Sequence, residues 1–563
     1  MKTVKHLLIV ISLALTLTGI GSAAASPSVE SRLDALFAEW DKSDSPGCAL
    51  GVYRDGQLVF ARGYGMANLE LGIKITPQSI FDIGSTSKQF TAFAIMLLAQ
   101  DGKLSLDDDI RKYVPEIPDY GKTVTIRHLL HHTSGIRDYC ELLAFSGFRE
   151  EDLTTDGDAL RILSRQKALN FQPGDEYLYS NSGFFLLSVI VKRVSGQSLR
   201  DFAQNRIFGP LGMRHTQYND RHTRIIPGRA TGYVPGDGGF GISMSDWEQT
   251  GDGAVLTSVE DLLLWDRNFY DPKVGGADVI AQMLMPGKFN DGRLQDYAAG
   301  LVNGEHRGLK TVSHGGAWAG YRAELLRFPE QKFSVVCLCN LGSMDPGGLA
   351  RKVAEVYLEE RMTPATAAQA AVSKPAIRVP AAELQKRIGA YRNPKTGGIW
   401  QLTVEEGKLL VDAAGFKFQI VPTAPGVFRA EGIPIPIAVT FVPTAAGGRP
   451  RLQAMVASEK EARILEPVEL WSPTAAQLAE MVGSYQSDEL GTVFVLLFKD
   501  GKLLIQHRST GDEPVPVKPT LKDSFSIEGA AIAFTRDAKG RIDGCDLDSG
   551  RMKKIRFVKL EAK

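Results

Sequence analysis

The sequence predicts an α+β domain followed by two small antiparallel β-barrels. Three observations carry that expectation. Apolar runs alternate with turn signals over residues 46–65 and form two further strands at 323–328 and 333–339, while the chain between them holds apolar helical runs. Residues 363–380 are rich in Ala, Pro and Thr with little hydrophobic period, the composition of a linker. Beyond that linker the chain repeats itself. Arg387-Ile-Gly-Ala-Tyr391 matches Met481-Val-Gly-Ser-Tyr485, and Glu406-Gly-Lys-Leu-Leu410 matches Asp500-Gly-Lys-Leu-Leu504, both at an offset of 94. Short strands joined by Asp-Gly-type turns point to two copies of one small barrel. The expected layout is a signal peptide over 1–25, the α+β domain over 26–362, the linker over 363–380, and barrel repeats over 381–470 and 471–563.

The first 25 residues carry Lys2 and Lys5, an apolar run over 7–20, and small residues at Ser22-Ala-Ala-Ala25. That is the form of a cleaved export signal. A transmembrane anchor is the competing reading, but the run is short and holds two threonines and a glycine. Export implies a periplasmic or secreted protein with no stable membrane anchor. Loss of the signal leaves 63 basic against 65 acidic residues, and no basic tract remains, so nucleic acid is not an expected partner. Cysteines at 48, 140, 337, 339 and 545 form no disulfide framework. Cys337 and Cys339 point to one face of a strand, a poor geometry for bridging each other. Mostly buried thiols are expected, with room for one pair.

In chain order, Cys48-Ala-Leu-Gly-Val-Tyr53 and Leu58-Val-Phe-Ala61 flank Arg54-Asp-Gly-Gln57, a β-hairpin. A helix follows over 90–99, apolar on nearly every side apart from Thr91 and stopped by Asp101-Gly102. At its mouth stand Ser85 and Lys88. Residues three apart share a helix face, so the amine can reach the hydroxyl. An ordinary lysine is protonated at neutral pH and cannot activate a serine, but burial beside an apolar helix lowers its pKa. Alone, the pair fits an ordinary helix N-terminus as well as it fits catalysis. Ser164-Arg-Gln-Lys167 has the same spacing and opens no apolar helix.

His128 and His132 are spaced i, i+4, but no Glu sits in the zinc-protease position and Thr133-Ser-Gly ends the helix, so packed imidazoles fit better than a metal site. In Tyr177-Leu-Tyr-Ser-Asn-Ser-Gly183, Asn181 or Ser182 would cap the next helix, leaving Tyr179 in the approach loop. From there its phenol could enter a cleft, or its ring could simply staple the helix start. Ser258 precedes Asp261 by three, a capping-box start. Then Ser313-His-Gly-Gly-Ala317 lets backbone approach a ligand closely. His306-Arg-Gly308 has a similar short form in a polar turn, and the Tyr391-Arg-Asn393 triplet belongs to the repeat, where its partner reads Tyr485-Gln-Ser487.

Taken in order, Ser85-Thr-Ser-Lys88, Tyr179-Ser-Asn181 and His314-Gly-Gly316 resemble the three motifs of the penicillin-recognising serine hydrolases, over about residues 30–360. That superfamily includes class C β-lactamases, D,D-carboxypeptidases, D-aminopeptidases and esterases. The resemblance implies an antiparallel sheet with helices on both sides. It implies Ser85 as the nucleophile of an acyl-enzyme, with Lys88 and Tyr179 moving protons. Asn181, His314, Gly315 and Gly316 would hold substrate, and the N–H groups of Ser85 and Ala317 would form the oxyanion hole.

Many relatives have Lys-Thr-Gly or Lys-Ser-Gly at the third motif, whose cation helps hold a substrate carboxylate, and here His314 replaces it. That variant, with the two barrels, resembles D-aminopeptidase, and implies a small-molecule or short-peptide substrate with no metal or organic cofactor. A β-lactamase, a D,D-carboxypeptidase or a carboxylesterase is the alternative within the class. A binding or sensor protein that does not turn over is the alternative outside it, although Trp400 and Tyr485 are too few aromatics to mark a binding groove.

Overall fold

The computed structural model describes residues 27–149, 151–364, 377–394, 397–413, 416–431, 437–444, 448–456, 462–508, 513–527 and 529–561. The expected export signal and most of the expected linker lie outside the described residues.

A six-stranded sheet organises the first domain. The hairpin predicted at 46–65 forms β1 (Cys48–Arg54) and β2 (Gln57–Tyr64). The later strands are β3 (Val302–His306), β4 (Leu309–Trp318), β5 (Tyr321–Phe328) and β6 (Phe333–Cys339). Their order is β3-β4-β5-β6-β1-β2, antiparallel at every step, so the two ends of the domain meet where β1 pairs β6. Strand periodicity explains why β1 reads as one continuous apolar run. Ala49 and Tyr53 enter one core, Leu50 and Val52 enter another, and both faces of the sheet are covered.

One face is covered by α1 (Val29–Phe37) and, at the end of the domain, by the helix Pro346–Leu358. The other face carries the helical region, with α2 (Lys88–Gln100), α3 (Tyr139–Ser146) and α4 (Asn181–Ser195). The apolar run of α2 is buried from Lys88 through Leu98, as its lack of a polar face predicts. Cys48 lies directly opposite Cys339 in the β1–β6 register and is bonded to it. The cysteines therefore yield one disulfide, and Cys140, Cys337 and Cys545 remain free.

The repeat folds as two barrels. Eight strands between 389 and 468 close completely, and nine strands between 483 and 559 curl so that the two ends of the sheet, Val515–Pro516 and Lys518–Pro519, are neighbours in the chain. The offset of 94 reappears in detail. Helices Ala381–Gln385 and Ala475–Ala479 precede the two barrels at equivalent positions. Tyr391 donates to the Arg387 carbonyl at 2.9 Å and Tyr485 to the Met481 carbonyl at 2.7 Å. Glu406 and Asp500 take the same left-handed turn conformation, each with φ 51°.

The second barrel is joined to the helical region. Arg137 and Glu489 form an ion pair whose side chains are 1% and 5% exposed. Arg137 also donates to the carbonyls of Lys553 and Lys554. Gln166 donates to the Glu489 carbonyl. Among the described residues no helix is long and apolar enough to cross a membrane, and no cluster of side chains has the makeup of a metal site.

Candidate active site

Ser85 lies in a 3₁₀ turn, Gly84–Ser87, that runs directly into α2. The turn is pressed against β4 backbone to backbone. Gly84 has φ +47°, and a Cβ there would stand 2.7 Å from the Ala317 nitrogen. A Cβ on Gly316 would stand 1.9 Å from the Ile83 carbonyl oxygen. The glycines are what let the third motif reach the first.

Lys88, fully buried, is the hub. Its Nζ lies 3.0 Å from Ser85 Oγ, 2.9 Å from Asn181 Oδ1 and 2.6 Å from the Asp252 carbonyl. The last two are acceptors, so a neutral amine spends both of its hydrogens on them and turns its lone pair toward the Ser85 hydroxyl. Burial favours that neutral form and pulls the lysine pKa down to about 8, against the opposing charges of Asp252 and Asp138. Burial likewise lifts Asp252 to about 6, with Lys88 pulling the other way.

Tyr179 leads into α4 and places its ring 4.9 Å from Lys88 Nζ. Burial pushes its phenol above the ordinary value, and the hydrogen-bonding neighbour Ser85 opposes the shift. The ring packs on His132 at a centroid distance of 4.2 Å. The expected cap is corrected by one residue. Ser180 occupies the N-cap of α4 without a side-chain cap bond, and Asn181 and Ser182 lie inside the helix. Asp138 Oδ2 accepts the Asn181 N–H at 2.7 Å, so the Asn181 side chain is released from capping and turns to Lys88.

His314 is 6% exposed. Its Nδ1 donates to the Gly315 carbonyl at 2.6 Å, and its Nε2 accepts from Tyr297 Oη at 3.0 Å, a set of partners that suits the neutral tautomer. Burial, with the charge of Lys88, holds its pKa at about 4. The third motif therefore contributes no cation at neutral pH. Ser85, Tyr179, Asn181, His314, Gly315, Gly316 and Ala317 all line one cavity of about 1080 Å³, with Lys88 beneath Ser85.

The remaining sequence candidates have partners of their own, with His306 also lining the cavity and His132 packed on Tyr179. Ser164 bonds the Arg161 carbonyl and Lys167 pairs with Asp488. His128 accepts the Thr125 N–H in a capping box. His132 accepts the Ser180 N–H through Nδ1, while its buried Nε2 finds no hydrogen-bond partner among the described residues, so the expected imidazole packing holds but is not fully satisfied. Ser258 Oγ accepts the Asp261 N–H, but the Asp261 carboxylate turns to His215 and Thr216 instead of completing a capping box. His306 faces Glu355 at 3.1 Å.

Sequence reasoning missed Asp252, Asp138, Tyr297 and Arg551. The glycines around Asp252 were a local signal. Asp138 had a local signal as the N-cap of Tyr139–Ser146, and Tyr297 and Arg551 had none, because their partners lie in other segments of the chain.

A buried amine 3.0 Å from a partly exposed serine, on this α+β frame, is an arrangement of the serine-hydrolase kind. A family model described as Beta-lactamase matches residues 33–358, more than half of the chain, and the chain belongs to that family. It is 31% identical over 320 residues to a D-aminopeptidase of Gluconobacter oxydans (strain 621H), a match covering 57% of this chain and 60% of that protein. It is 28% identical over 406 residues to a penicillin-binding protein of Bacillus subtilis (strain 168), covering 69% and 88%. The octameric penicillin-binding protein homologue from Pyrococcus abyssi superposes with a TM-score of 0.55 at 25% identity, covering 78% of this chain and 99% of that one. The match thus spans about 60% of the length of the D-aminopeptidase relatives.

Proposed function

We propose that the chain is an exported hydrolase that works through a Ser85 acyl-enzyme on D-amino-acid amides, short peptides or esters, with D-aminopeptidase-like chemistry favoured. The observation that carries the reading is the placement of Lys88 against Ser85, Asn181 and the Asp252 carbonyl.

Ser85 Oγ attacks the substrate carbonyl as its proton passes to the neutral Lys88 amine. The developing oxyanion rests on the N–H groups of Ser85 and Ala317, where loss of one donor costs about 3 kcal/mol. The bond to the leaving amine or alcohol then breaks, Tyr179 delivers the proton that the leaving group takes up, and protonated Lys88 returns a proton to Tyr179 and becomes neutral again. Water enters along the reverse route, splits the acyl ester and restores Ser85. Asn181 holds Lys88 and, with the 314–316 strand segment, the substrate. Neutral His314 and the relatives at about 30% identity support the D-aminopeptidase-like preference. The Cys48–Cys339 disulfide supports an oxidising compartment.

The test is a steady-state panel of D- and L-alanine p-nitroanilides, p-nitrophenyl butyrate, a D-Ala-D-Ala peptide and nitrocefin. D-alanine p-nitroanilide turnover should fall by roughly 10⁴-fold or more in Ser85→Ala. Because the neutral amine is the base, kcat/KM should climb with pH and level off above about 8. Full activity in Ser85→Ala would sink the acyl-enzyme reading, nitrocefin turnover alone would move it to a β-lactamase, and ester turnover alone to an esterase.

A further inference from the structure

One wall of the catalytic cavity comes from the last barrel. The turn between strands Ile542–Ser549 and Ile555–Lys559 carries Arg551, whose guanidinium lies 4.9 Å from the centre of the Tyr179 ring and lines the cavity with Ser85. The backbone of Arg551 is clamped from three sides. Its N–H donates to Glu141 at 2.9 Å, and its carbonyl accepts from the Asp138 N–H at 3.2 Å and from Asn170 at 2.9 Å.

The side chain is treated differently. It is 40% exposed and makes no hydrogen bond among the described residues. Its one ion pair there is a 3.8 Å approach to Asp138. Asp138 is already served by the N–H groups of Cys140, Glu141 and Asn181. A guanidinium on a firmly held backbone therefore offers its fork of donors to the cavity, the geometry that matches a carboxylate. Of the other cations at the cavity, Arg351 is exposed and interacts with the Glu324 carboxyl, and the rest are engaged or neutral. Lys88 is held by three partners, His314 is uncharged at neutral pH, Arg322 bonds the carbonyls of Ala319 and Tyr321, and Arg229 lies over the Tyr321 ring at 5.9 Å.

We propose that Arg551 binds the free α-carboxylate of the amino acid leaving from the scissile bond, so that the preferred substrates are short peptides cut immediately before a C-terminal residue. The inference rests on the acyl-enzyme reading, which places the leaving nitrogen at Tyr179. In an amino acid the nitrogen and the carboxylate are separated by a single Cα, so a residue whose nitrogen meets Tyr179 presents its carboxylate to the guanidinium over the same ring. The last barrel thereby supplies the cation that the third motif lacks, and Arg551 is a specificity-determining residue.

The experiment compares kcat/KM for D-alanyl-D-alanine with D-alanyl-D-alaninamide, and D-alanyl-glycine with its amide. It uses the intact protein and its Arg551→Ala, Arg551→Gln and Arg551→Lys variants, with melting temperature as the check on folding. The readout is the acid-to-amide ratio within each protein, whatever the substitution does to absolute rates. The native enzyme should favour the acid by roughly 10- to 100-fold, the Ala and Gln variants should bring the ratio near one, and Lys should restore part of it. A ratio near one in the native enzyme, or one unchanged in Arg551→Ala, overturns the proposal. If Ser85→Ala still abolishes D-alanine p-nitroanilide turnover in that case, the acyl-enzyme reading survives it. Peptide turnover undiminished in Ser85→Ala, or no turnover of any of these substrates by the native protein, overturns both.

Discussion

The barrels over 389–468 and 483–559 carry the same preceding helix, the same buried tyrosine bond and the same left-handed turn, yet they relate differently to the catalytic region. The second shares one continuous core with it, running from the helices through Leu478, Leu490 and Phe557. The first has a core of its own around Tyr391, Val411 and Phe428. A single loop accounts for much of the divergence. Where the first copy reads Tyr391-Arg-Asn-Pro-Lys-Thr-Gly397, the second reads Tyr485-Gln-Ser-Asp-Glu-Leu-Gly491. Glu489 thus meets Arg137 and Leu490 enters the core, where the first copy has Lys395 and Thr396 in sequence. Glu489 and Leu490, together with the turn around Arg551, thus tie the second barrel into the helical region, while the first barrel meets the cavity through Ala438, Met455 and Val456 from a separate core.

The sharpest way to break this contrast is Glu489→Lys, which gives the second barrel the first barrel's residue and sets a cation against buried Arg137. Loss of a buried partner costs about 3–5 kcal/mol, so the urea midpoint should fall steeply and the Arg551 turn should lose its footing. A midpoint within error of the native value would mean that the ion pair does not join the barrel to the helices. A smaller effect tests the likeness instead. Tyr391→Phe and Tyr485→Phe each delete one equivalent hydrogen bond, and each should cost about 1 kcal/mol by denaturant unfolding. Unequal costs would show that the second tyrosine has become part of the joint core. The smallest effect is expected between the barrels, where Lys518 meets Asp412 at 2.8 Å with the lysine half exposed. A double-mutant cycle on that pair should return no more than about 1 kcal/mol, and a larger coupling would mean that the barrels move as one body.

Much of the candidate site was legible before any coordinates. Ser85 and Lys88 are three residues apart, so helix geometry alone brings them together, and the apolar run after them foretold the burial that lowers the lysine pKa. Tyr179, Asn181 and the 314–317 segment were found through their order along the chain, and the structure places them all at one cavity. The neutral state of His314 was expected from its ordinary pKa, but its cause is deeper, since burial and the charge of Lys88 act on it together against the Gly315 carbonyl.

By itself the sequence determined whatever depends on near neighbours: the hairpin, the buried helix, the paired late strands, and the repeat with its turns. Those features follow from periodicity and local backbone preference, which act over a few residues. Only the tertiary structure decided that β1 pairs β6 and bonds Cys48 to Cys339, that Asp252 holds Lys88 through its carbonyl, and that Arg551 stands over Tyr179. Each of those contacts closes a long loop of chain, 164 residues between Lys88 and Asp252 and 291 between the two cysteines. Their partners are selected by packing and charge in the folded core, and no local pattern encodes them.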